Sequence, residues 1–496
     1  MATLSNEEKR AGEQVVLETQ SSSSSSQQPQ NVEDAGGREA FLATFSHEED
    51  RSIMRKVDKR FLLLVGILYM TKQMDYTNAA TVKVLQVGQP RNILKELHMT
   101  SNEYNWVQSI YFISYIIFEV PSNLLLKRMS PHVWQSRIIL TWGIVLACHA
   151  AIQNKNSYYG LRFLLGMMEA GMFPGIAAQF QSWYRSDEMG KPFMVYLLEG
   201  LYTVLLAVVV FFVLPDYPKS PRSQKWLTPR EQEYLEVRLA ENAPLTDDSW
   251  FNKQEVLASL RDPRTYAFMI NQVCVNLGGY GLSWYLPTIT TNLGFAGLPR
   301  NQLLNIPPAA AAVLAIIFSA WFLKRGYVTR PAYTQPIMAG MTVCFILFFT
   351  ISSRAGIYVA CVLGTMFYAV YFLPFWAWRS SSLKGTTGTA FTLAFQSCVG
   401  QVGGVIGPQL FQDKWAYNRY KASFGICAAA IICGWAANLW VWWLTRNVEW
   451  DVLRVRRLRI QAEREGQVYA GDDDVKVYEE REFYGGLRKK GEVEGV

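Results

Sequence analysis

From 59 to 446 the chain alternates long apolar runs with short polar joints. Eleven runs of roughly 17–28 residues stand at about 60–82, 104–126, 133–152, 158–184, 193–213, 264–291, 302–323, 333–352, 355–378, 386–411 and 422–445. A helix crosses a hydrocarbon core of ~30 Å in about 20 residues, so runs of this length can span a bilayer. Nearly all the charge lies between the runs or in the tails. A water-soluble fold has no use for that arrangement. The pattern predicts an all-α polytopic membrane protein.

Three polar stretches frame the spans. Residues 1–55 are acidic and polar, with unbroken serine at 21–26, a composition that cannot bury a core and is expected to be disordered. This tail is not a cleavable signal peptide, and the first span is the expected insertion signal. The central stretch 214–263 contains Leu227-Thr228-Pro229-Arg230-Glu231-Gln232-Glu233, which reads as a helix start with Thr228 as cap and Pro229 in the first position. The tail 446–496 begins as a mixed-charge segment, expected to be helical, and ends Gly-rich.

This divides the chain into an N-terminal bundle at 56–213 with five spans and a C-terminal bundle at 264–445 with six. The cytoplasmic loop 214–263 separates them. Two blocks around a long polar loop is the layout of a duplicated transporter with 3+3 repeats in each half.

Only 18% of residues are charged, yet the net charge is +7. The Lys and Arg sit in short loops beside the spans, which marks those loops as cytoplasmic and removes nucleic acid as a partner. Arg51, Arg55, Lys56, Lys59 and Arg60 precede the first span, and Lys127, Arg128 and Arg137 lie between the second and third. Lys324, Arg325 and Arg330 mark one inside loop of the second block, and Arg379 and Lys384 another. For these to share a side, the central loop must be inside and an even number of spans must precede it. The pattern supplies five. The conflict falls at Gly190-Lys191-Pro192, where a polar joint runs straight into an apolar segment. One whole span is read as absent there. Lys414, Arg419 and Lys421 would lie outside and weigh against this reading. All seven cysteines fall in apolar runs and are read as packing residues, neither a disulfide framework nor a metal site.

Three motifs carry a resemblance. Arg162-Phe163-Leu164-Leu165-Gly166-Met167-Met168-Glu169-Ala170-Gly171-Met172-Phe173-Pro174-Gly175 fits the pattern RFxxGxxEAGxxPG, Phe118-Glu119-Val120-Pro121-Ser122-Asn123-Leu124 fits FExPSNL, and Leu214-Pro215-Asp216-Tyr217-Pro218 fits LPDxP. As a set over about 55–450 they resemble the anion:cation symporter branch of the major facilitator superfamily. Within it the chain looks most like the fungal allantoate permease group, whose relatives carry organic acids and vitamins. The resemblance implies twelve helices, so the missing element is family helix five. It also implies a plasma membrane address and a small organic anion as substrate.

Glu169 and Arg162 are seven residues apart, two turns, and share a helix face. An ionised group in hydrocarbon costs ~2.5–3.5 kcal/mol on insertion scales, so both should face a cavity or a partner. Glu169 is a candidate proton carrier. Arg162 is a candidate substrate contact, or it holds the neighbourhood of Glu169 together; the alternative is a permanent ion-pair lock. Asp75 is the other intramembrane acid and a second proton-coupling candidate, with a structural polar contact as the alternative. The family commonly has Asp-Arg here, where this chain has Asp75-Tyr76; Lys72 and Lys83 are placed to compensate. Asn78, one turn on, is a candidate ligand hydrogen bonder. The resemblance makes Glu119, Lys127 and Arg128 gating candidates, with topological anchoring as the companion role. Tyr285, with Trp284, lies in a Gly- and Pro-interrupted run, a pointer to a binding site or to an interface belt. Gln396 in a glycine-rich run is a further substrate-contact candidate. Arg379 is expected to snorkel, and His149 to be structural.

The reading is a secondary active transporter, proton-coupled and working by alternating access as a symporter of a small organic anion or vitamin-like acid. Its partners are that small molecule, protons and the lipid bilayer; a monomer without cofactor or metal is expected. The alternatives are an exporter of a secondary metabolite on the same fold, a sensor or receptor, and a mispredicted or spliced product lacking one helix, expected to insert or transport poorly. No catalytic triad, phosphate loop or metal cluster suggests an enzyme.

Overall fold

The computed structural model describes residues 41–42, 44–84, 92–185, 218–220, 223–237, 252–292, 304, 306–351, 353–383, 386–418 and 420–466. The N-terminal bundle comprises α1 (His47–Val84), α2 (Ser101–Arg128), α3 (Pro131–Cys148), α4 (Lys155–Glu169) and α5 (Met172–Gln181). Two short helices, α6 (Pro229–Val237) and α7 (Lys253–Arg261), come from the central loop. The C-terminal bundle comprises α8 (Pro263–Asn292), α9 (Ile306–Lys324), α10 (Arg330–Thr350), α11 (Arg354–Ser381), α12 (Thr386–Gly400), α13 (Val402–Ile406) and α14 (Lys421–Arg464).

Every predicted run except 193–213, which lies outside the described residues, overlaps one or more of these helices. Among the described residues, seven helices are long and apolar enough to cross a membrane. Their starts are locally encoded. Thr100 and Glu103 form a reciprocal capping box ahead of α2, Asn154 caps α4, and Pro131 opens α3. Outward faces stay apolar: Leu314 is 69% exposed, and Phe318 and Trp443 are also exposed. In water such a surface would be an aggregation liability; around a bilayer it is the lipid face.

α1 and α8 run in the same direction, because Lys83 near the end of α1 and Trp284 late in α8 both donate to Asn105 Oδ1, at 3.0 Å each. The end where α1 and α8 begin carries the basic residues and is called the inner end. There the expected tail 1–55 is corrected at its close. Leu42, Phe45 and Ile53 are buried, and the helix starts at His47. These residues fold because α6 gives them a partner. Tyr234 donates to Asp50 Oδ1 at 2.6 Å, Lys56 Nζ donates to Glu231 Oε1 at 2.6 Å, and Arg230 lies 4.3 Å over the Phe45 ring. A disorder reading from composition misses an apolar patch whose cover lies almost two hundred residues away.

The described residues on either side of 193–213 meet at this same end. Trp183 stacks on Trp226 at 5.9 Å, and Tyr184 donates to Asp58 Oδ1 at 3.0 Å. The last helix, α14, is 44 residues long, about 66 Å at 1.5 Å per residue. It therefore continues well past the bilayer without a break.

Candidate functional site

The site is built where α4 stops. Glu169 is its last residue; Ala170 leaves helical geometry, and Gly171 takes φ +90° before α5 resumes at Met172. Glycine adopts that left-handed backbone without penalty, whereas a side chain there is strained. Space is also short. A Cβ on Gly171 would lie 2.2 Å from Ser122 Oγ and 2.6 Å from Ser122 Cβ, and one on Gly175 would lie 2.8 Å from Gln135 Nε2. Two of the motifs thus pack on each other, Gly171 of one against Ser122 and Asn123 of the other. Gly171→Ala is expected to destabilise the protein by about 1–3 kcal/mol from backbone strain alone, with overpacking added. Gly160→Ala, on the same segment but with open space around it, is the control and should be neutral or slightly stabilising. Thermal melting of both purified variants tests this; equal melting temperatures would remove the argument.

The break leaves the Glu169 carboxylate buried beside α1 and α2. Its Oε1 lies 3.1 Å from Lys72 Nζ, with the two side chains 3% and 17% exposed. Lys72 Nζ also donates to the Tyr115 hydroxyl at 3.3 Å and sits 4.7 Å over that ring. The Tyr111 hydroxyl faces the Glu169 carboxylate, with Tyr115 and Tyr280 beside it. The C-terminal bundle presents a matching polar face. Tyr280 donates to Gln401 Oε1 at 2.9 Å, Tyr368 to Asn276 Oδ1 at 3.3 Å, and Asn276 Nδ2 to the Gly400 carbonyl at 2.9 Å. The result is a phenol-lined seam between the bundles with a buried ammonium–carboxylate pair on one wall.

Among the described residues the two bundles touch on both sides of the pair. At the outer end Asn105 Nδ2 donates to the Phe411 carbonyl at 3.1 Å, Ser109 to the Val405 carbonyl at 2.8 Å, and Gln409 to Ser109 at 2.9 Å. At the inner end Phe173 meets Trp376 edge-on at 4.7 Å, and Cys398 Sγ donates to the Ile116 carbonyl at 3.2 Å. This is the closed arrangement of two bundles around a central site.

The predicted residues divide. Glu169 is at the centre. Arg162 is buried but does not join it: its Nη2 donates to the Tyr158 hydroxyl at 3.2 Å, one turn back towards the outer end. Among the described residues no carboxylate pairs with it. Two turns are about 10 Å along the axis, too far for a guanidinium that bends the other way. Asp75 and Asn78 lie on α1, but their side chains fall outside the described residues. So do those of Lys127 and Arg128, the last two residues of α2.

Glu119 was expected beside that basic pair. It lies eight residues earlier, about 12 Å along the helix, and is fully buried against α12. Tyr285 is packed between Phe411 at 4.5 Å and Tyr420 at 4.6 Å, inside the C-terminal bundle. Gln396 is buried and donates to Gln272 Oε1 at 3.0 Å, tying α12 to α8. Arg379 does not snorkel. It is fully buried, donates to Thr265 Oγ1 at 3.0 Å and faces the Phe268 ring at 4.8 Å. His149 is structural, its Nδ1 bonded to the Val145 carbonyl at 2.9 Å.

The sequence pattern marks Lys72 only as a compensating charge, although a lysine in the middle of the apolar run 60–82 is signal enough to weigh it further. It missed Glu449, which no motif marks. Arg330 Nε and Nη2 donate to Glu449 Oε2 and Oε1 at 3.0 and 2.9 Å, and Ser381 adds a bond at 2.9 Å.

Comparison with known proteins agrees with this architecture. The sequence matches the family profile described as Major Facilitator Superfamily in two segments, 65–193 and 192–408, which meet at Pro192 and Phe193. A fungal protein named MFS transporter prlL is 26% identical over 434 residues, covering 79% of this chain and 85% of that protein. A putative tartrate transporter of Agrobacterium vitis is 26% identical over 393 residues, 72% of this chain and 87% of that protein. A quinolone resistance transporter of Acinetobacter baumannii is 26% identical over 416 residues, 72% of this chain and 87% of that protein.

Proposed function

Since this chain belongs to the major facilitator superfamily, we propose that it is a proton-coupled symporter of a small organic anion, resembling most the allantoate permease group of the anion:cation branch. The coarser statement stands without proposal: it is a multi-pass membrane transporter and not an enzyme. The observation that carries the finer reading is the buried Lys72–Glu169 pair, 3.1 Å apart in the seam.

In the closed arrangement Lys72 is paired with Glu169. When Glu169 takes up a proton, Lys72 loses its counter-charge and becomes the natural partner of a substrate carboxylate. The phenols of Tyr111, Tyr115 and Tyr280 line the place where that carboxylate would sit. An anion thus binds well only after a proton has bound, which is positive coupling through one shared cation. Asp75 is a second proton-coupling candidate, and Asn78 a candidate substrate contact, both from their places on α1. Release of protein-bound substrate to the inside would follow rocking of the bundles about the seam. The protein works as a monomer in the plasma membrane on this reading.

The test is uptake of labelled tartrate, the cargo in a relative's name, and of other small carboxylates, by proteoliposomes under an inward proton gradient. Glu169→Gln should abolish gradient-driven accumulation while leaving exchange of bound substrate. Gradient-driven accumulation by that variant would remove Glu169 from the coupling role.

We propose as a second reading that this chain lacks family helix five, which the matched segments and alignment lengths favour. The two profile segments meet within the polar joint where the charge pattern places the gap. The alignment with the fungal relative extends over 434 positions but covers 79% of 496 residues. That is about 392, so about 40 positions of the relative face gaps here, the size of one span of ~20 residues with its joints. The same uptake assay discriminates. No transport by this chain, restored in a form carrying about 40 further residues between 185 and 218, identifies it as an incomplete product. Transport in the outward direction only would favour export.

A further inference from the structure

Two buried carboxylates on the N-terminal bundle, Glu169 and Glu119, act on the single ammonium of Lys72. Glu169 has it at 3.1 Å. Glu119 is 0% exposed, and among the described residues neither of its carboxylate oxygens accepts a hydrogen bond. Its own carbonyl is used by Asn123 Nδ2, at 2.9 Å, but the side chain has nothing comparable. The charged or titratable groups acting on it are Lys72 from α1 and Cys398 from α12. The Ser397 hydroxyl of α12 lies against the Glu119 carboxylate.

One cation cannot neutralise two carboxylates. A carboxylate sealed from water, with one neutral hydroxyl against it and its ammonium already held by another acid, is among the most costly groups a protein can hold, and such groups relieve the cost by taking a proton. The geometry points to Glu119 as a second proton-binding site, occupied in the closed state and emptied when α2 and α12 part at the inner end. This rests on the reading of Lys72 as the substrate's cation and deepens it.

Position supports the assignment. α2 runs from the outer to the inner end, and Glu119 lies past its midpoint on the inner side, at the contact with the opposite bundle. Opening there admits water, and the Glu119 carboxyl gives its proton to that water. The carboxylate left behind is a new partner for Lys72 and competes with the bound anion for it. Proton loss on the inside therefore drives substrate off the lysine. In the closed state Glu119 is neutral and leaves Lys72 to Glu169 or to substrate. Lysine is thus the shared element, and the two acids take turns.

The test needs no substrate, so it stands apart from the uptake experiment. Infrared spectra of the purified full-length chain in lipid nanodiscs read the C=O stretch of a protonated carboxyl, which ionised surface acids do not give at neutral pH. The wild type and Glu169→Gln should show the band, and Glu119→Gln should lose it entirely. Glu119→Asp should keep a band with a displaced pH titration, which also covers the case in which the glutamine variant does not fold. An unchanged band in Glu119→Gln, an undisplaced titration in Glu119→Asp, no band in the wild type, or loss of the band in both glutamine variants would each overturn the assignment. Failed uptake with the band behaving as expected would instead remove the transport reading and leave the proton site.

Discussion

Lys72→Met is expected to weaken binding of an anionic substrate by about 30-fold or more and to abolish its uptake. Removing one member of a buried, hydrogen-bonded charge pair costs about 2–5 kcal/mol, and each 1.4 kcal/mol is about tenfold in affinity. The loss falls on substrate and on Glu169 alike, since both use the one ammonium. Left without Lys72, Glu169 is a buried carboxylate deprived of its cation, with the Tyr111 hydroxyl in front of it. The variant should lose stability and no longer respond to the proton gradient. Lys72→Arg keeps the charge on a longer, planar head and should retain partial uptake. Lys72→Met/Glu169→Gln removes the stranded charge, so it should melt like the wild type while remaining inactive. The checking measurement is binding and initial uptake of labelled tartrate in proteoliposomes, beside melting of the same preparations. Full uptake by Lys72→Met would refute the shared-cation mechanism.

The second large effect is structural. Glu449→Ala should destabilise the C-terminal bundle by about 3–5 kcal/mol, the range for breaking a buried ion pair from one side. Arg330 and Glu449 are both nearly sealed from water, with side chains 4% and 1% exposed. They join the start of α10 to α14 where α14 leaves the bilayer, and Ser381 of α11 completes the carboxylate. Arg330 also donates to the Ala377 carbonyl, so its guanidinium binds three helices together. With Glu449 gone, the buried guanidinium loses its carboxylate counter-charge. Arg330→Met/Glu449→Met removes both charges and should recover most of the stability, because a buried pair replaced by apolar side chains is often neutral. Thermal melting of the two variants tests this: a single variant as stable as the wild type would mean the pair opens to water in solution.

Much of the fold was legible because a bilayer leaves a chain few options. Backbone groups in hydrocarbon must be satisfied within the segment, so a long apolar run reads as a helix. The runs at 104–126 and 333–352 became α2 and α10 with their ends displaced by only a few residues. Helix starts were also readable where the cap is local, as at Thr228-Pro229, where Thr228 Oγ1 accepts from the Glu231 amide at 3.3 Å.

The site was legible only in part. Glu169 stands out since an acid in an apolar run must be explained, and Gly171 next to it signals a break. Its partner did not follow from the same rule. Arg162 shares its helix face and was the obvious choice, but a helix fixes only spacing, and two turns separate them. Lys72 reaches Glu169 from a different helix. Nor could spacing distinguish Tyr285, buried among aromatics of its own bundle, from Tyr280, which lines the seam five residues earlier.

Glu119 shows the limit most clearly. As sequence it stands near a basic loop and reads as a gate; as structure it is a sealed carboxylate against the opposite bundle. The sequence by itself determined the membrane class and the positions of the helices among the described residues, since both follow from one-dimensional hydropathy. Tertiary structure alone decided which charges meet: Lys72 with Glu169, Arg330 with Glu449, and Glu119 with no cation of its own. Pairing is set by how helices pack across about a hundred residues of chain, and periodicity along a single helix carries no record of it.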